Sequence, residues 1–539
     1  MPTYCDSDSS GRDAINVASS SAPHNSVEAT RYFWHISDLH LDTHYSTQGD
    51  IYRSCWQLAH TSGSVASNGR QETETESPGP FGNHNCDSPW SLVESAVKTM
   101  KAKQGDNVEF VLWTGDALSH SAQARSEHVQ LETLRNITEL LGRSFSSPFI
   151  FPVLGHEDGS TGIHKYKQMG ELWRHWLPTE ALVTFEQGGY YSIEQTRSRL
   201  RIIALNTNFM RYELLSETKQ SDSLRWSADY YAKPSRTMSD QDQLQAEQQW
   251  LWLDEVLAKS RDKQETVYIV GHMPPGVDER YVGPQHHGQL IFTERNNRRY
   301  LELVRKYASV IQGQFFGHLH SDTFRLIYDD QGTPISWLMI APSVVPRKEG
   351  IGASNNPALR LYKFDTGSGQ VLDYTQYWLD LSLANRVQEP LWQSEYNLTH
   401  YYALGEISAI ALHNFAERFT GKDASWFSRY HRANAVRFQS GAACLGRCML
   451  NHYCAITRLD YDEFRLCLES EQLPLQSHAA VAVLSSCSCA LLSLLLALSF
   501  LCCFREYSLM WLLRLMEPGV LPPKPDSNNS NPNPNPANL

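Results

Sequence analysis

Four stretches of the chain end an apolar run in an acid or an imidazole. Tyr32-Phe33-Trp34-His35-Ile36-Ser37 leads to Asp38, with His40 two residues on. Leu112-Trp113-Thr114-Gly115 leads to Asp116, Ile269-Val270-Gly271 to His272, and Phe315-Phe316-Gly317 to His318 and His320. In an extended strand end, residues i and i+2 share a side, so Asp38 and His40 are expected to face one cation together. In the other three stretches glycine is expected to turn the backbone sharply off the strand. Carboxylates and imidazoles without thiolates suit zinc, iron or manganese. Two such ions, about 3.5–4 Å apart and sharing a carboxylate, clamp a phosphoryl group and generate hydroxide at neutral pH. Asp116 stands alone at its strand end and is the natural bridge. Any one of these stretches reads equally well as a turn aspartate or a core histidine; four in one chain argue for a built site at the carboxyl edge of an α/β sheet.

With them come Cys86-Asp87-Ser88-Pro89-Trp90, Gly188-Gly189-Tyr190-Tyr191-Ser192, Leu205-Asn206-Thr207-Asn208-Phe209, Ala341-Pro342-Ser343-Val344 and Asp373-Tyr374-Thr375-Gln376-Tyr377. Together these segments resemble the acid sphingomyelinase-like phosphodiesterases of the metallophosphoesterase superfamily, over roughly residues 32–467. The resemblance implies an α/β four-layer sandwich, two mixed β-sheets flanked by helices, holding two Zn2+. It implies that Asp38, His40, Asp116 and His320 surround the first zinc, and that Asp116, His272 and His318 serve the second. His120 falls where the family keeps a histidine that contacts phosphate or protonates the leaving group.

One stretch departs from the family pattern. Where Gly-Asn-His-acid is expected, the chain reads Val153-Leu154-Gly155-His156-Glu157-Asp158. Aligned without a gap, His156 replaces a metal-binding Asn and Glu157 replaces a catalytic His. Aligned with a one-residue deletion, His156 is the catalytic His. His156 is therefore carried both as a metal ligand and, with His120, as a catalytic residue. The implied activity is hydrolysis of phosphodiester or phosphoanhydride bonds, in sphingomyelin-type lipids or in nucleotide and phosphocholine compounds, by metal-bound hydroxide. The altered motif leaves a catalytically impaired membrane modulator of the same fold as the alternative.

The elements that must position these residues are legible in outline. Helical spacing of Leu92, Ala96, Val97 and Met100 predicts a helix over 91–103, capped by Ser88 or Asp87. Further helices are expected over 127–142, 245–257 and 295–307, alternating with strands over 108–113, 149–154, 200–205, 266–270 and 310–316. Residues 323–328 and 335–340 read as an antiparallel pair, as do 359–364 and 369–379. Asn206 and Asn208 read as turn residues.

At 539 residues the chain supports several domains, and its net charge of −12 gives no basic field for a nucleic-acid polymer. The expected organisation is a disordered segment over 1–30, a catalytic domain over 31–385, a helical subdomain over 386–470, a transmembrane helix over 479–504 and a disordered tail over 505–539. The spanning helix is expected from 26 apolar or small residues without charge. The family resemblance implies disulfides Cys55–Cys86, Cys444–Cys448 and Cys454–Cys467; from the residues alone, zinc held by the last four thiols is the other reading. Sequons at Asn136 and Asn397 point, with the disulfides, to the extracellular face of the plasma membrane or the secretory or lysosomal lumen, with the membrane joined through the C-terminal segment.

Overall fold

Phe33, Trp34 and Ile36 are buried although they point to opposite faces of one strand, which marks that strand as central and covered on both sides. The computed structural model describes residues 30–57, 77–105, 107–121, 126–158, 163–195, 199–211, 240–283, 286–346, 354–438 and 444–470. In chain order they form β1 (Thr30–Ile36), β2 (Tyr45–Asp50), α1 (Trp90–Gln104), β3 (Val108–Trp113), α2 (Glu127–Ser144), β4 (Phe149–Pro152), α3 (Ile163–Leu172), α4 (Thr179–Gly188), β5 (Tyr191–Glu194) and β6 (Leu200–Ala204). There follow α5 (Asp240–Asp262), β7 (Thr266–Val270), β8 (Val277–Gly283), β9 (His286–Leu290), α6 (Glu294–Lys306), β10 (Ile311–Phe316), β11 (Thr323–Tyr328), β12 (Pro334–Ile340), β13 (Ala358–Asp365) and β14 (Val371–Leu379). The described C-terminal part adds α7 (Leu381–Val387), β15 (Trp392–Asn397), α8 (Leu398–Tyr402), α9 (Ala409–Glu417), α10 (Ser425–Asn434), α11 (Arg447–Thr457) and α12 (Tyr461–Ser470).

The strands make two mixed six-stranded sheets, ordered β15-β14-β13-β1-β3-β4 and β11-β12-β10-β7-β6-β5. In the first, β1, β3 and β4 run parallel; in the second, β6, β7 and β10 do. Aromatic side chains join the two. Phe33 of β1 stacks on Phe110 and Tyr362 of its own sheet, and meets Phe315 of β10 edge-on at a centroid distance of 5.4 Å.

Local chemistry explains the helices. Ser126 accepts from the Val129 N–H at the start of α2, and Leu134, Ile137 and Leu141 form its buried stripe. Thr293 caps α6 in the same way, and Arg305 and Lys306 close its last turn. α1 begins without a side-chain cap, behind Pro89, so neither Ser88 nor Asp87 plays the capping part expected of it.

The C-terminal helices lock onto the sheet loops through buried charge. Arg360 of β13 donates to Asp322 at 2.5 Å, Tyr396 and Tyr374 also donate to that carboxylate, and Asn434 exchanges two hydrogen bonds with the Asp322 backbone. Asp322 stands two residues after His320, so α10 grips the loop that carries it.

One expectation is corrected. Among the described residues no helix is long and apolar enough to cross a membrane. The longest, α5, has 23 residues but carries Asp240 and Asp242 in its first turn and Lys259 and Arg261 in its last. The spanning helix over 479–504 is not upheld, nor is the membrane attachment that rested on it; the segment lies outside the described residues, and an uncharged run meets the length requirement for a span without itself being evidence of a helix. The segments 1–29 and 505–539 likewise lie outside them.

Candidate metal centre

The parallel strands of both sheets deliver their carboxyl ends to one place. β1 leads to Asp38 and His40, β3 to Asp116, β4 to His156, β7 to His272 and β10 to His318 and His320. The local geometry is not the extended one expected. Asp38, His40, Asp116, His318 and His320 all have φ between 41° and 69°, in the left-handed region. Side chains rarely sit there, and such strain concentrates at functional sites. Glycine's part also differs between stretches. Gly115, at φ 89°, does turn the chain. Gly317 is needed for closeness instead, since a Cβ there would meet Ser37 Oγ at 1.9 Å and Asp38 Oδ2 at 2.6 Å.

Asp116 Oδ2 lies 2.9 Å from His156 Nδ1, 3.0 Å from His272 Nε2 and 3.5 Å from His40 Nε2. On the other side, Asp38 Oδ1 lies 3.2 Å from His320 Nε2, which is 3.2 Å from His40 Nε2. Two groups of ligand atoms result, each with its members within 4.8 Å of one another: Asp116, His156, His272 and His318 form one, Asp38, His40 and Asp116 the other, with His320 joined through Asp38 and His40. Asp116 belongs to both. Nδ1 of His318 is buried without a hydrogen-bond partner. Carboxylate oxygens and ring nitrogens crowded this closely in a buried place fit a cation among them. His272 Nδ1–H donates to the Thr114 carbonyl at 2.8 Å, which orients the ring with Nε2 toward Asp116.

Charge agrees with that fit. Burial pushes the Asp38 and Asp116 carboxyls up, but His320 beside Asp38, and His156 with His272 beside Asp116, hold both well below the usual range. Burial opposes protonation of His40 and His272, but Asp38 and Asp116 carry them up to about 10 and about 9. At His318 and His320 burial wins, and His320 falls to about 4. The carboxylates thus draw positive charge into a buried site.

His120 stacks on His40 with ring centroids 4.0 Å apart, and groups with His40 and His320. A cavity of about 240 Å³ is lined by His120, His156, His318 and His320, and also by Arg211, Asp278 and Arg280.

Three supports were not legible beforehand. Asp87 binds His120 through its ring and its backbone. Asp158 accepts from the backbone N–H groups of Asp116, Ala117 and Gly155 at 2.7–2.9 Å, tying the β3 and β4 loops together. Asn208 donates to the Gly155 carbonyl at 3.0 Å. Only the place of Asp158, three residues after Gly155, hinted at its part.

Disulfides join Cys55 to Cys86, Cys444 to Cys448 and Cys454 to Cys467. His431, Cys444, Cys448 and His452 also converge, but the disulfide leaves no thiolate there for a metal. Asn136 and Asn397 are exposed. The disulfides are consistent with a secreted or lumenal protein.

Residues 31–322 match the family model described as Calcineurin-like phosphoesterase, and residues 333–474 the one described as Acid sphingomyelin phosphodiesterase C-terminal region. The chain is 34% identical to acid sphingomyelinase-like phosphodiesterase 3b of Homo sapiens, over 85% of this chain and 95% of that one. It is 32% identical to cyclic GMP-AMP phosphodiesterase SMPDL3A of Bos taurus, over 83% and 92%. It is 29% identical to sphingomyelinase phosphodiesterase C of Dictyostelium discoideum, over 81% and 92%.

Proposed function

The chain belongs to the calcineurin-like phosphoesterases and, within them, to the acid sphingomyelinase-like phosphodiesterases, and from that premise we propose that it is a two-zinc enzyme cleaving phosphodiester or phosphoanhydride bonds of sphingomyelin-type lipids or of nucleotide and phosphocholine compounds. That it is a phosphoric diester hydrolase comes with the family; the ion, the residue roles and the substrate are the proposal. The relatives' names span both substrate kinds, a sphingomyelinase and a cyclic dinucleotide phosphodiesterase.

One observation carries the reading: Asp116 Oδ2 has ring nitrogens of His40, His156 and His272 within 3.5 Å, which suits a carboxylate that would serve two cations. Zinc is proposed because two carboxylates and five imidazoles, without thiolate, match its preferences. Asp38, His40, Asp116 and His320 would hold one ion; Asp116, His156, His272 and His318 the other. When bound, the pair supplies neutralising charge at the phosphoryl oxygens and acidifies water. The chain's own residues do the rest. Asp158 and Thr114 hold the ligand loops in register. His120, its Nδ1 proton committed to Asp87, presents its other nitrogen toward the leaving oxygen and gives up a proton there. His156 acts as a ligand, which keeps an imidazole in the altered loop and favours an active enzyme.

The test is metal analysis of the purified chain with turnover of sphingomyelin and nucleotide diesters, and Asp116→Asn as control. Two zinc ions and turnover abolished by the substitution are expected. Two bound ions without turnover of any diester would establish the impaired modulator instead.

A further inference from the structure

A second convergence of ligand atoms lies among the C-terminal helices. His431 of α10, His452 of α11 and both cysteines of the Cys444–Cys448 disulfide bring their ligand atoms within 4.8 Å of one another. Cys448 and His452 both lie on α11, four positions apart, and so share one face of it. The two imidazole rings meet nearly at right angles, with centroids 5.5 Å apart. Both have support other than the disulfide, since Phe427 packs on each, at 5.8 Å and 5.9 Å. On the Nδ1 side of His452 stand the Tyr430 hydroxyl, at 3.2 Å, and Oε1 of the fully buried Glu279, at 4.0 Å. A carboxylate behind an imidazole is a common support for a metal-binding histidine. The disulfide differs from the other two. Its cysteines are 4 residues apart, against 13 and 31. It joins no two elements, because Cys444 precedes α11 and Cys448 lies in the first turn, whereas Cys454–Cys467 ties α11 to α12. A short loop constrains the unfolded chain least, so opening it costs the fold little. Each of the other pairs has a cysteine with no exposed surface; here Cys444 keeps 9% and Cys448 is half-buried.

We propose that opening the Cys444–Cys448 disulfide creates a zinc site of two thiolates and two imidazoles, formed by His431, Cys444, Cys448 and His452. A dithiol supplies the two electrons. Its thiolate attacks the Cys448 sulfur, the S–S bond breaks, and Cys444 leaves as a thiolate. The second thiol of the reagent then displaces Cys448, and the reagent departs as a disulfide. Two protein thiols remain; zinc takes them as thiolates and releases two protons. Two cysteines with two histidines are the donor set of closed structural zinc sites. In the oxidised chain a covalent bond holds this corner of the subdomain, and in the reduced chain an ion does. None of the four residues belongs to the metal centre at the sheet edge, so the site stands whether or not the chain cleaves a phosphodiester.

The experiment uses the full-length chain with Cys5→Ser, Cys487→Ser, Cys489→Ser, Cys502→Ser and Cys503→Ser, so that every remaining cysteine belongs to a disulfide. The chain is treated briefly with a dithiol, freed of it under nitrogen, and titrated with Co2+ as the coloured stand-in for zinc. Thiol alkylation and peptide mapping report which disulfide has opened. Cys444–Cys448 is expected to open first. The reduced chain alone should then show sulfur-to-cobalt charge-transfer absorption, saturating at one ion per chain and erased by zinc. The centre at the sheet edge has no thiolate and cannot give that band. Bound zinc should protect two thiols from alkylation. His431→Ala should lower zinc affinity by more than tenfold, and Glu279→Gln, which changes a support of the His452 ring and not a ligand, by about tenfold. Thermal unfolding of the oxidised variants checks their folding, and His431→Ala leaves the Glu279–Arg325 pair intact. Earlier opening of either other disulfide, unfolding on reduction, no band once Cys444–Cys448 is open, or a band that survives Cys444→Ser or His431→Ala overturns the site.

Discussion

The carboxylate of Asp87 takes both the backbone N–H of His120, at 2.9 Å, and its ring Nδ1–H, at 2.6 Å. Both side chains are almost wholly buried. A histidine held at two points has one orientation and one tautomer, which is what a proton donor to a leaving group needs. Asp87→Asn should lower kcat about tenfold or more for a diester with an alkoxide leaving group, and far less for a p-nitrophenyl ester, whose leaving group needs no proton. His120→Ala should show the same split, and the double variant should be little worse than either alone. Equal losses on both esters would make Asp87 merely structural.

His156 sits within 3.1 Å of both Asp116 Oδ2 and His272 Nε2. If it holds an ion, His156→Ala should take the metal content of the purified chain from about two ions to about one, and His156→Asn should keep more, since an amide oxygen still offers a ligand. Elemental analysis after exhaustive dialysis reads this without any activity assay.

The metal-free protein should be most stable near pH 6.5. His318 and His320 are held below their ordinary value in the folded chain, so between about 4 and 6.5 the unfolded state binds more protons and stability rises with pH. His40 and His272 are held above it, at about 10 and about 9, so above 6.5 the folded state binds more protons and stability falls with rising pH. Thermal unfolding in chelator across this range should trace the maximum. Metal loading should abolish the alkaline decline, because ligand imidazoles are then unprotonated.

Arg360 is fully buried, and Asp322 is its carboxylate partner. Asp322→Ala should destabilise the chain by about 3–5 kcal/mol in chemical denaturation, the cost of an uncompensated buried charge. Replacing both residues by apolar ones of similar size should cost much less than the single change, and His320 metal binding should weaken wherever the loop loosens.

What was legible in the sequence follows from range. Apolar runs that stop at an acid or imidazole are local signals, and they located four of the five strand ends that converge at the centre; the fifth, after β4, came from the family resemblance. The alternation of strands and helices fixed the class for the same reason. The left-handed backbone at Asp38, Asp116 and His318 was hidden, because Asp and His carry no strong preference for it and the contacts that accompany it, such as Asp38 N–H to the Gly115 carbonyl, join loops far apart in sequence. Asp87 looked like a helix cap because it precedes Pro89 and α1; its true partner is 33 residues away. Arg280 carried no motif, since the cavity it lines exists only once β8 and β9 are folded. The apolar run over 479–504 was read by composition alone, and composition has no power to say what a segment packs against.

The proposed ligands are shared out between the two sheets: Asp38, His40, Asp116 and His156 follow strands of the first, His272, His318 and His320 strands of the second. The aromatic layer around Phe33 and Phe315 lies between those sheets, so its thickness should act as a calliper on how far apart the two sets of donors stand. Shaving that layer, as in Phe33→Leu, should alter cation affinity from a position outside the proposed ligand set, which titration of the metal-free chain with zinc would read.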